Sequence, residues 1–305
     1  MFIKSLLIKT IMAALAASVV FVATPEQAKA EIIEQERSLY QNVYMVEEYG
    51  MHCMRFRKKN KNDLSQSCIF LDAPEIFVFD YYKQAMGVTF FIEDPKEILI
   101  IGLGGGVLAN TFGEVYPDAH ITSVEIDPVV AKMAKKYFGY DDSKPNFETH
   151  IRDGRVFVKR ALKDDKRYDF ILLDAFNSDY IPEHMMTKEY LEEVKALAKD
   201  DGIIMANTFS TSDLFHHESA TYAEVFGSMY QINFKDKKTN RVIVVSKKPL
   251  PEKRELLKKA NELKGKLLIY GVDTLALFDA ISDEVNWDTE AEVLTDQYSP
   301  ANLLK

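Results

Sequence analysis

Cysteine is scarce in this chain of 305 residues, with Cys53 and Cys68 the only two. Internal repeats and low-complexity linkers are missing, which excludes a repeat array. An excess of positive charge is missing too. Lysine and arginine number 38 against 47 acids, a net charge of −9, whereas nucleic-acid phosphates call for basic surface. The apolar stretch from Ile11 to Ala23 is short of the roughly 20 residues of a membrane span. His216 and His217 are adjacent, but no cysteine or carboxylate cluster joins them, so no metal is expected. What is present is apolar. Hydrophobic residues make up 47% of the chain, with 19 Phe and 15 Tyr, enough for a packed core.

The first thirty residues read as an export signal. Lys4 and Lys9 precede the apolar stretch, and Ala28-Lys29-Ala30 follows as an A-x-A cleavage pattern. Cleavage after Ala30 would place the chain outside the cytoplasm, in the periplasm. Membrane association would then come only through an uncleaved signal. The cysteines flank a polar turn, Lys58-Lys59-Asn60-Lys61-Asn62-Asp63. A hairpin centred there sets Cys53 opposite Cys68, within reach of a disulfide. The alternative is a pair of unpaired buried thiols.

Four segments follow: the signal (1–30), a small β-strand domain (31–93), a nucleoside-binding domain (94–250) and a helical extension with a tail (251–305). In the second, Tyr40–Glu47, Met51–Phe56, Cys68–Leu71 and Ile76–Phe79 are short strand-like runs, and Tyr81–Met86 reads as a helix. From Glu97, apolar runs alternate with helical patterns, the mark of a parallel α/β sheet. Strands are predicted at 97–102, 121–125, 147–151, 168–173, 202–207, 229–234 and 241–246. Helices are predicted near 107–115, 128–138, 154–163, 187–198, 218–227 and 252–265. The last two strands are joined too tightly for a crossover helix, so they should form an antiparallel hairpin. The expected fold is a seven-stranded methyltransferase-type, Rossmann-like sheet behind a small β-domain.

Polar residues gather at the strand ends. Gly102, Gly104 and Gly106 form a G-x-G-x-G turn after the first strand, where backbone amides could approach a ligand. Glu125 closes the second strand, as a carboxylate for a ribose diol would. Asp153-Gly154 follows the third, placed to accept from an adenine amino group, and Asp174 ends the fourth. Taken alone, Glu125 and Asp153 could each be a helix cap and Asp174 a solvated loop acid. Together, on successive strand ends, they indicate a site for an adenosine-containing molecule.

With these motifs the chain resembles the spermidine synthase-like branch of the S-adenosylmethionine-dependent transferases. Tyr40-Gln41-Asn42-Val43 is similar to the Y-Q-x-I opening of that family's β-domain, which implies Gln41 in cofactor binding. Tyr82 falls where the family has a substrate-pocket tyrosine. The glycine turn, Glu125, Asp153-Gly154 and Asp174 match its cofactor and catalytic motifs. Two segments resemble one sub-branch: Asp174-Ala175-Phe176 with 181–190, and the tail 294–300. The resemblance implies aminopropyl transfer from decarboxylated S-adenosylmethionine to a small cationic amine, by a possible homodimer. Asp174 would be the base or amine-orienting group. The family's second aspartate is replaced by Asn177, with Asp179 nearby as a substitute substrate-binding acid. The aspartate of its glycine loop is replaced by Gly105. Both departures leave two alternatives: a methyltransferase using intact S-adenosylmethionine, and an exported, non-catalytic nucleoside or polyamine binder.

Overall fold

The computed structural model describes residues 30–58, 65–176, 181–210, 214–234 and 240–299. The proposed signal, up to residue 29, lies outside the described residues, as do Asn177 and Asp179.

Four antiparallel strands open the chain: β1 (Glu31–Arg37), β2 (Asn42–Glu48), β3 (Met51–Arg55) and β4 (Ser67–Phe70), in that spatial order. Tyr49 and Gly50, both at positive φ, form the two-residue turn between β2 and β3, the backbone twist that tight hairpins require. In the next hairpin Met51 pairs with Phe70 and Cys53 with Cys68. The predicted register is therefore observed, and the two cysteines form a disulfide across Cα atoms 4.2 Å apart. The stretch expected as a strand at 76–79 contributes only one bridge, Phe77 to Ile69. Helix α1 (Asp80–Ala85) starts directly after it and leaves no length to pair.

The second sheet holds β5 (Glu97–Ile101), β6 (His120–Glu125), β7 (Phe147–Ile151), β8 (Tyr168–Leu173), β9 (Ala198–Phe209), β10 (Tyr230–Ile232), β11 (Asn240–Ser246) and β12 (Ile281–Ser282). Its order is β12-β10-β11-β9-β8-β5-β6-β7. Strands β5 to β9 run parallel, and β10, β11 and β12 pair antiparallel. The expected count of seven is thus corrected to eight. The added edge strand is two residues long, too short to leave a periodicity in the sequence.

Helices α2 (Val107–Val115), α3 (Pro128–Tyr137), α4 (Gly154–Lys163), α5 (Lys188–Leu197) and α6 (Leu214–Phe226) follow β5 to β9 in turn. Alternate residues of each strand face opposite sides. Ile98, Ile100, Phe170, Leu172, Val242 and Val244 enter one core, and Leu99, Ile101, Ile171, Leu173, Ile243 and Val245 the other. Helices therefore cover both faces. The chain ends with α7 (Lys253–Leu267), α8 (Thr274–Asp279) and a tail whose Leu294 is fully buried in the second core. No helix among the described residues is long and apolar enough to cross a membrane.

Candidate active site

A cavity of about 440 Å³ opens at the carboxyl ends of β5, β6 and β8. Strand order reverses there, which is where open α/β sheets bind ligands. The β-domain supplies one wall with Tyr40, Gln41, Phe56, Ser65 and Gln66. The main sheet supplies Gly102, Gly104, Glu125, Asp153, Gly154 and Asp174. Of the residues predicted from sequence, Gly106, Tyr82, Asn177 and Asp179 are not among this lining; the last two lie outside the described residues.

The glycine turn works differently from the expectation of ligand-facing amides. Gly106 sits at φ 75° on the back of the turn, where a Cβ would strike the Tyr140 ring at 2.7 Å. The Gly102 amide donates to the Val124 carbonyl, that of Leu103 to the Glu125 carboxylate, that of Gly105 to Ser67 Oγ, and that of Gly106 to the Leu103 carbonyl. Four of the five amides of this turn are thus engaged within the protein, and Gly104 lines the cavity. A phosphate cradle needs several amides directed at the ligand, so the turn is poorly suited to one. Glu125 also accepts from the Asp127 amide. Burial holds its carboxyl above the ordinary carboxylate range, with the backbone hydrogen bonds opposing that rise.

Asp127 and Asp153 are both helix caps, accepting from Val129 N and Val156 N at 2.9 Å. Asp153 serves the cavity as well, because its second oxygen lies 2.9 Å from His184 Nε2, and both residues line the wall. The capping reading and the binding reading are therefore compatible at this position.

Asp174 follows β8. Burial, with the Glu125 charge adding to it, pushes its carboxyl up to about 7, against the opposing hydrogen bond from Asn207. Asn207 Nδ2 donates to Asp174 Oδ1 at 2.8 Å, and Asn240 Nδ2 donates to Asn207 Oδ1 at 2.9 Å. Gln84 Nε2 donates to the Asn240 carbonyl at 3.1 Å. This relay fixes the orientation of Asp174 from β9, β11 and α1. Sequence reasoning missed it, because isolated amides within strands carry no spacing signal.

Tyr81, not Tyr82, faces the cavity. The two rings stand 4.3 Å apart. Burial, then the Asp174 charge, raises the Tyr81 hydroxyl far above its ordinary value. Tyr82 is buried behind it, where burial pushes its hydroxyl up to about 12 against hydrogen bonds with Ser67 and Tyr81. Tyr82 therefore supports the wall, through the same Ser67 that receives the Gly105 amide. His216 and His217 are engaged with the tail, His216 accepting from the Asp288 amide and His217 Nδ1 lying 2.8 Å from the Glu292 carbonyl.

Comparison with known proteins places this geometry. The family model described as "Spermine/spermidine synthase domain" matches residues 80–258. A polyamine aminopropyltransferase of Vibrio vulnificus is 42% identical over 278 residues, covering 91% of this chain and 92% of the relative. Among solved structures, a probable spermidine synthase from Corynebacterium glutamicum superposes with a TM-score of 0.64 at 21% identity, covering 85% of this chain and 97% of the other. A spermidine synthase in complex with the transition state analogue AdoDATO gives 0.58 at 18% identity, with 79% and 90% covered. The structural likenesses establish the shared fold, and the sequence matches carry the assignment: the chain belongs to the spermine/spermidine synthase family.

Proposed function

We propose that this protein transfers an aminopropyl group from decarboxylated S-adenosylmethionine to a polyamine or related amine. The observation that carries the reading is the charge of the cavity. Its wall holds four acids, Asp80, Glu125, Asp153 and Asp174, against the single guanidinium of Arg152, while most amides of the glycine turn donate within the protein. Such a site suits a cationic sulfonium nucleoside and a cationic amine, and disfavours a dinucleotide.

Glu125 at the end of β6 is placed for a ribose diol, and Asp153 for an adenine amino group. The decarboxylated donor supplies the aminopropyl group and a sulfonium leaving group. At Asp174 the acceptor amine gives up a proton. Its nitrogen bonds the methylene beside sulfur as the carbon–sulfur bond breaks, the electron pair stays on sulfur, and methylthioadenosine leaves neutral. A carboxyl near 7 is matched to that proton transfer. Asn207 holds the carboxylate in place during it.

Asp80, in the first turn of α1, is a second carboxylate on the same wall. We assign it the amine-orienting role that Asn177 cannot supply as a charge. Asp80→Asn should raise KM for the amine roughly tenfold, the worth of one charge-assisted hydrogen bond. Affinity for methylthioadenosine should stay unchanged. An unaltered amine KM would remove Asp80 from the role.

The deciding experiment supplies donor and amine and identifies the nucleoside product. Methylthioadenosine supports aminopropyl transfer. S-adenosylhomocysteine from intact S-adenosylmethionine would establish methyl transfer instead, and no turnover with either donor would leave a binding protein. The reading extends to location: the Cys53–Cys68 disulfide supports export to an oxidising compartment.

A further inference from the structure

Two segments distant in sequence, 181–190 and the tail from 294, are joined in space. The Lys188 amide donates to the Leu294 carbonyl at 2.7 Å, and the Asp296 amide donates to Glu189 Oε2 at 2.9 Å. Thr187, the N-cap of α5, donates through Oγ1 to Asp296 Oδ1 at 2.7 Å. Leu294 is anchored from below, its amide donating to Thr221 Oγ1 at 2.9 Å.

Arg155 joins this assembly to the cavity. It follows Gly154 on α4 and is 7% exposed. Its guanidinium donates to both Asp296 oxygens, at 2.6 and 2.8 Å, and to both Glu193 oxygens, at 3.0 Å. A further bond runs from Nη1 to the His184 carbonyl at 3.1 Å. Forked pairs of this kind fix direction as well as distance. The Arg155 hydrogen bond in turn holds the Asp296 carboxyl below the usual carboxylate range. His184 completes the circuit by reaching Asp153, and Pro182, His184 and Met185 all line the cavity.

We propose that the tail residue Asp296, locked onto Arg155, is a positioning residue that holds the 182–185 wall against Asp153 and so sets the cavity's affinity for the nucleoside. Asp296 touches no part of the cavity itself. It acts through Arg155 and the His184 carbonyl. The inference rests on the reading of this cavity as a nucleoside site.

The test is calorimetric titration of the full chain with methylthioadenosine, in native form and as Asp296→Asn. If the wall keeps its position against Asp153 in only about a tenth of the molecules, apparent Kd rises roughly tenfold. With saturating donor, kcat should remain near native while KM for the donor rises, a split that a merely structural role does not produce. Asp296→Glu, which keeps the charge, should recover part of the affinity. Should Asp296→Asn fail to fold, Glu189→Ala removes one bond of the same dock and should raise Kd by a smaller factor. Native affinity in a folded Asp296→Asn chain overturns the proposal. Absence of methylthioadenosine binding by the native chain overturns the nucleoside reading itself, and the proposal with it.

Discussion

Asp174→Asn is expected to lower kcat by about a hundredfold or more, the contribution of a positioned general base, while methylthioadenosine still binds. The geometry explains the separation. Asparagine keeps a carbonyl oxygen where Asn207 Nδ2 now donates, so the relay behind the residue survives and only the proton acceptor is lost. The native rate should also climb as pH passes through about 7, where burial has pushed this carboxyl, and the variant should lose that climb. Stability moves oppositely. The folded-state value lies above that of the unfolded chain, so the folded protein holds this proton more tightly. The resulting stabilisation is complete below about pH 4 and is lost as pH rises through about 7. At alkaline pH the ionised group is therefore a cost, and the variant should melt no lower than the native chain. Native turnover in Asp174→Asn, or a native rate flat across this range, would count against the assignment.

Gly102→Ala should be the most damaging single methyl group. Gly102 stands at φ 101°, a conformation that L side chains rarely adopt, and its Cβ would lie 2.2 Å from the Asp174 carbonyl oxygen. That oxygen is backbone, so no rotamer change relieves the overlap. The Asp174 amide donates to the Ile101 carbonyl at 2.7 Å, and the Gly102 amide to the Val124 carbonyl at 2.8 Å. Any shift would thus break the junction of β5, β6 and β8 beneath the cavity. A loss of about 4 kcal/mol or more is expected, in the range reserved for backbone conflicts in a core. Denaturant unfolding measures it, and titration with methylthioadenosine should show no binding. A stable, binding-competent Gly102→Ala chain would mean that the turn can move away from Asp174.

Much of this architecture was readable because its strands are strongly patterned. Apolar runs ending in glycine or acid gave β5, β6 and β8 within a residue or two. The Cys53–Cys68 register followed from the symmetry of a polar turn. What escaped lacks such contrast. Strand β1 reads Glu-Ile-Ile-Glu-Gln-Glu-Arg and lies mostly exposed, with no buried face to generate alternation. Strand β9 begins at Ala198, ahead of the predicted start, because Lys199, Asp200 and Asp201 are charged but still extended. Within the site, the acids were visible at strand ends. Asn207, Asn240 and Ser67 were not, since their importance depends on which strands become neighbours. The meaning of the glycine turn was also hidden, because sequence shows that amides are available but not where they donate.

The Ser67 contact has a wider consequence. The family match begins at Asp80, yet seven residues of the cavity wall precede it, from Tyr40 to Phe79. Ser67 from the same small sheet also seats the glycine turn. The opening sheet is thus less a separate module than a fitted cartridge. Exchanging it between relatives would swap part of the binding wall while leaving Asp174 and its relay partner Asn207 in place. Cutting it away to obtain a minimal catalytic fragment would unseat the turn on which the remaining half depends.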